Sequence, residues 1–102
     1  MPCARQLTLL VALGFVISGC GNTLYLVQVN RAERHFQEAQ ELGAEKHAPY
    51  EYYSAQARIN EAHRQAAQAE YGPASDLSDE AYDYAIKAIN LCKTKRKSGS
   101  SQ

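Results

Sequence analysis

Between residues 25 and 92, small and apolar side chains return every three or four positions, and almost nothing there suits a β-strand. That interval gathers side chains into one stripe along a helix. Beyond Val27 and Val29, β-branched residues are few and alanine is abundant, which favours helix over sheet. The spacing predicts a first helix over about 24–42 with Tyr25, Val29, Ala32, Phe36, Ala39 and Leu42 facing inward. Gly43 then fits a left-handed residue just past the helix end. After a link over 44–48, Pro49 suits a first helical turn, where its missing N–H costs nothing. The second helix is expected over about 49–70, with Tyr52, Ala55, Ile59, Ala62, Ala66 and Ala69 as its stripe. Tyr71-Gly72-Pro73 is expected to stop it.

A third helix is expected over about 74–93, with Ala74, Leu77, Ala81, Tyr84 or Ala85, Ala88, and Leu91 or Cys92 inward. Its acids, Asp76, Asp79, Glu80 and Asp83, come early, and Lys87 and Lys93 come late, the order that suits the helix dipole. Short links make successive helices antiparallel neighbours. The expected fold is therefore all-α, a small antiparallel bundle of two to three helices. The second and third helices form a hairpin and the N-terminal helix lies alongside. The helical domain is placed at 24–93, and 94–102 is expected to be a disordered basic tail without an apolar anchor. Large aliphatic residues are scarce from residue 30 onward, so alanine supplies most of the seam. Alanine buries little area, at roughly 25 cal/mol per Å², so stability is expected to be marginal or helped by self-association or a partner.

The first 20 residues obey a different logic. Residues 7–17 carry no charge and follow Arg5 and the amino terminus, the pattern of a secretory leader. Ile17-Ser18-Gly19-Cys20 closes it and resembles a bacterial lipobox, an aliphatic residue and two small ones before a cysteine. The resemblance implies diacylglycerol on the Cys20 sulfur, cleavage between Gly19 and Cys20, and acylation of the new amino terminus. Residues 1–19 are then a lipoprotein signal peptide and 20–23 a lipidated end with a short tether. Two or three acyl chains anchor stably, since each buried CH₂ adds about 0.8 kcal/mol. Gly21 follows the cysteine. The sorting rule of such lipoproteins holds those with Asp there in the inner membrane, so the resemblance implies the periplasmic face of the outer membrane, with the inner membrane as the alternative.

Removing 19 of the 102 residues leaves 83 and changes the zero net charge of the whole chain. Lys93, Lys95, Arg96 and Lys97 cluster near the carboxyl end, and the acids lie in the body before them. Cys92 is then the one thiol left besides Cys20, expected as a small apolar residue in a helix seam, with an intermolecular disulfide as the alternative.

Gly43-Ala44 and Ala48-Pro49 join an alanine-spaced helix to Ala55, Ile59 and Ala62. After a further turn come Ala81, Ala85 and Ala88. Over about 32–90 this resembles the small periplasmic family known as domain of unknown function 4398. The resemblance implies an α-helical envelope module, often a lipoprotein or a partner of peptidoglycan-binding OmpA-like domains. It implies no catalytic residue.

The chain is too short for a barrel enzyme or a dinucleotide-binding fold. It carries no nucleophile elbow, phosphate loop or zinc cysteine pair. His35, His47 and His63 stand apart with no metal-ligand spacing and are expected to be solvated. No enzyme activity, cofactor or metal is expected, and an exported protein does not meet nucleic acid. Two features could bind. The first is the tyrosine set, with Tyr50, Tyr52, Tyr53 and Tyr71 as the candidate aromatic patch and Tyr82 and Tyr84 on the third helix, from a chain with seven tyrosines and no tryptophan. The second is Lys93, Lys95, Arg96 and Lys97, a candidate contact for an anionic surface. The expected function is a lipid-anchored envelope adaptor or scaffold. Its expected partners are the membrane, through the lipid, and a periplasmic or outer-membrane protein. A self-assembling structural subunit and a cell-wall, peptidoglycan or glycan binder are the alternatives.

Overall fold

A computed structural model of the protein describes the backbone over residues 2–100 and the side chains over residues 22–97. The expected leader at 1–19, the expected cleavage point at Gly19–Cys20 and Cys20, expected to be lipidated, lie outside the described side chains. Four helices follow one another: α1 (Pro2–Glu41), α2 (Ala44–His47), α3 (Pro49–Ala67) and α4 (Tyr71–Ser100). The described elements are all helical, as the spacing required. Helix α4 packs along both α1 and α3, and those two touch each other less. The expected hairpin is α3–α4, and α1 lies alongside it.

The inward stripes are close to those expected. Tyr25, Val29, Ala32 and Ala39 of α1 are buried, as are Tyr52, Ala55, Ile59 and Ala62 of α3. On α4 the buried stripe is Ala74, Ser78, Ala81, Ala85, Ala88 and Cys92, an unbroken alternation of four and three, with Ser75 and Ile89 buried beside it. This resolves the two open choices toward Ala85 and Cys92. It also puts Ser78 in the seam, with Leu77 half-buried at its flank. Ser78 tolerates burial because its hydroxyl donates to the Ala74 carbonyl oxygen at 2.8 Å, leaving no unpaired polar group.

The turns depart from expectation in three places. The link at 44–48 is mostly the one-turn helix α2, started by Gly43 at φ 81°, the left-handed residue foreseen there. Its Ala44, and Ala48 after it, are buried against Tyr52, Ile89 and Cys92. The break after α3 is made not by Gly72 but by Ala69, at φ 61°. The Ala69 N–H donates to the Ala66 carbonyl at 2.9 Å and the Glu70 N–H to the Gln65 carbonyl at 2.9 Å. That bond pair is the glycine-type helix termination, here closed by an alanine. Ala69 is consequently exposed and leaves the stripe to which its spacing assigned it.

Gly72 and Pro73, expected outside a helix, lie in the first turn of α4. The first intrahelical bond there runs from the Ala74 N–H to the Glu70 carbonyl at 3.1 Å. Pro73 is thus among the leading residues whose N–H has no helical partner in any case. At the other end, α4 continues past Lys93 through the basic run, and Thr94 caps its own hydroxyl onto the Asn90 carbonyl at 2.8 Å. Lysine and arginine are good helix formers and their charge favours a helix C-terminus. The helix therefore outlasts the apolar pattern.

An alanine at positive φ is strained, and a helical glycine is entropically costly. Ala69→Gly is expected to stabilise the bundle by about 0.5–1 kcal/mol. Gly72→Ala should add about 0.5 kcal/mol, since a Cβ there meets nothing within 4 Å. Urea unfolding of both variants reads the result, and destabilisation by Ala69→Gly would contradict the left-handed turn.

Candidate functional site

The antiparallel order gives the bundle two unlike ends. Helix α1 enters at one end, where Tyr25 and Val29 pack with Ala62 and Ala74 and with half-buried Ala66, Tyr71 and Leu77. From Tyr25 to Leu42 it advances about 25 Å at 1.5 Å per residue. The far end gathers Ala39, Ala44, Ala48, Tyr52, Ala88, Ile89 and Cys92, with Phe36, Leu42 and Ile86 against them. It holds the end of α1, all of α2, the start of α3 and the late turns of α4.

The four tyrosines of the expected patch are not brought together. Tyr52 is a core residue, 3% exposed, its ring stacked on Phe36 with centroids 4.8 Å apart. Tyr71 lies at the entry end, its ring 6.2 Å from that of Tyr25. The correction has a simple cause. Residues 52 and 50 sit on nearly opposite faces of a helix, and 71 lies beyond the far end of α3. Tyr50 and Tyr53 stay outside, 68% and 50% exposed.

Of the wider tyrosine set, Tyr84 is the one that meets Tyr50. The two rings meet edge-on at 6.1 Å, and hydrogen bonding to Tyr50 is the main cause raising the Tyr84 pKa above that of an ordinary tyrosine. The Arg58 guanidinium lies 4.4 Å from the centre of the Tyr84 ring and the Lys87 ammonium 5.1 Å from it. Arg58 also holds Glu80 at 3.1 Å. On the other flank Tyr53 donates its hydroxyl to Glu45 at 2.9 Å, which raises the Tyr53 pKa. The far end and the middle of the bundle beside it thus carry aromatic rings interleaved with the cations Arg58 and Lys87 and the carboxylates Glu45 and Glu80.

The basic candidates lie at the same end. Lys93, Lys95, Arg96 and Lys97 are all exposed, and Lys95 reaches back to the His47 carbonyl, tying α4 to the α2 turn. A shallow cleft of about 260 Å³ there is lined by Leu42, His47, Cys92, Lys95 and Arg96. Cys92 is a buried free thiol, the seam role expected of it.

His47 and His63 are exposed, as expected, and His35 is half-buried. His63 bridges helices, with Nδ1 3.0 Å from the Tyr25 hydroxyl and Nε2 2.6 Å from Glu33. His35 packs edge-on to Tyr82 at 4.9 Å. Among the described residues no group of three or more His, Cys, Asp or Glu side chains is arranged to hold a metal ion. No helix among them is long and apolar enough to cross a membrane.

A family model described as a domain of unknown function (DUF4398) matches residues 27–100. The chain belongs to this family. The DUF4398 match takes in the last 15 residues of the 40-residue α1 and all of α2, α3 and α4, wider than the stretch whose residues suggested it. As a family of unknown function it assigns no residue a role. No curated protein and no solved structure matches the chain.

The division of the tyrosines is open to test. Tyr52→Ala removes a buried ring and is expected to cost about 3 kcal/mol, whereas Tyr50→Ala should stay within about 0.5 kcal/mol. Equal losses in denaturant unfolding would contradict the assignment of Tyr52 to the core and Tyr50 to the surface.

Proposed function

We propose that this DUF4398 protein is a non-catalytic, lipid-anchored adaptor of a Gram-negative envelope, held at the periplasmic face of the outer membrane by Cys20. It presents the far end of its bundle to a protein partner. The observation that carries this reading is the polarity of the fold. Helix α1 enters the described bundle beside Tyr25, and the exposed Tyr50, Tyr53 and Lys93–Lys97 lie at the opposite end. An anchor at Cys20 puts its lipid on the Tyr25 side and turns the aromatic and basic groups away from the bilayer. Confinement to a surface raises the effective concentration of a weak interface. Leu24, Leu26 and Val27 are exposed around the start of the described α1, consistent with an apolar collar next to a membrane.

The basic end also supports a second reading, contact with an anionic cell-wall polymer. Lys93, Arg96 and Lys97 are exposed there together.

A photo-crosslinking amino acid at position 50 or position 71, in cells, separates the two ends. The adaptor reading predicts a discrete heterologous adduct from 50 and none from 71. Cys20→Ser should move the protein from the membrane to the soluble fraction. Retention of Cys20→Ser on membranes would overturn the anchor. A homotypic ladder from position 50 would replace the adaptor with a self-assembling subunit.

A further inference from the structure

We infer that the face formed by Tyr50, Tyr84, Arg58, Lys87 and Leu91 is a docking surface for an acidic protein segment with an apolar centre. The inference rests on the adaptor reading and names the chemistry of its partner. On α4, Tyr84, Lys87 and Leu91 recur at three and four residues and share one side of the helix. Tyr50 of α3 extends that side through its contact with Tyr84. Tyr50 and Leu91 are 68% and 39% exposed, so the face offers water a ring and an aliphatic side chain at once. Tyrosine and arginine in a cluster are what protein interfaces concentrate at their centres.

Charge selects the partner. Arg58 is satisfied by Glu80, but Lys87 makes no ion pair among the described residues, Asp83 one turn earlier included. From Lys87 onward α4 carries Lys87, Lys93, Lys95, Arg96 and Lys97 and no acid, while its acids, Asp76, Asp79, Glu80 and Asp83, all lie toward the entry end. With the other elements counted, the far end sets Lys46, Lys87, Lys93, Lys95, Arg96 and Lys97 against Glu38, Glu41, Glu45 and Glu51, a modest positive excess in which no carboxylate pairs with Lys87. An acidic rim on the partner would meet it, and the partner's apolar centre would cover Tyr50 and Leu91. A second copy held in the same membrane would present the same positive end and is disfavoured.

The probe is a pair of synthetic amphipathic peptides with identical leucine faces, one flanked by glutamate and the other by glutamine. Each is titrated by calorimetry into the full chain in detergent micelles. The glutamate peptide is expected to bind at least about tenfold more tightly at low salt and to lose that advantage as salt rises. Lys87→Glu and Tyr50→Ala should each weaken it about tenfold. Lys87→Gln provides a milder variant should Lys87→Glu disturb folding. Arg64→Glu, at the entry end, should leave binding unchanged.

Equal affinity for the two peptides overturns the proposal, as does a loss in Arg64→Glu as large as in Lys87→Glu. Binding to isolated peptidoglycan sacculi that Lys87→Glu abolishes, without binding of the glutamate peptide, would assign the face to the cell wall instead. Failure here leaves the crosslinking and fractionation outcomes for the anchored adaptor standing on their own.

Discussion

Helix α4 can lie against both α1 and α3 because its inward face is almost flat. Ala74, Ser78, Ala81, Ala85 and Ala88 project a methyl or a hydroxymethyl group, and all but the serine are fully apolar. Small side chains let helices approach toward the low end of about 8–10 Å. At that range many weak dispersion contacts replace the few large burials of a leucine-rich core. The bulk that remains, Tyr25, Phe36, Tyr52, Ile59 and Ile89, is distributed among three clusters along the bundle. Short links make the helices antiparallel, and the close packing fixes the two unlike ends on which the functional reading depends.

Most of this was legible because the spacing of three and four survives any reasonable choice of helix ends. What the spacing could not convey was local. The end of α3 turns on Ala69 in a conformation usually left to glycine. Nothing in an alanine advertises that, while Gly72-Pro73 advertised a break that fell inside a first turn. Ser78 does not register in an apolar spacing, and only its bond to the Ala74 carbonyl admits its hydroxyl to the seam. The basic run was expected to leave the helix because it has no apolar anchor. Helix propensity and the dipole carry α4 onward regardless.

The candidate site was half legible. Tyr50 and Tyr53 are exposed as an aromatic patch requires, but Tyr52 between them is core. Three tyrosines within four residues cannot share a helical face. The sequence offers Tyr84 both as a seam alternative and among the candidate aromatic residues, and its place beside Tyr50, Arg58 and Lys87 depends on a contact between helices. His63 likewise became a bridge to Tyr25 and Glu33 only once α1 and α3 were side by side. Sequence spacing reports which face a residue occupies, and not what the next helix brings to it.

If close approach through alanine holds the ends apart and in register, enlarging one seam methyl must disturb the whole bundle. Ala81, fully buried between helices, and Ala57, exposed on α3, give the comparison. The account predicts that Ala81→Leu lowers unfolding stability by about 1–3 kcal/mol through overpacking, while Ala57→Leu changes it by less than about 0.5 kcal/mol. An Ala81→Leu protein as stable as the parent would contradict it.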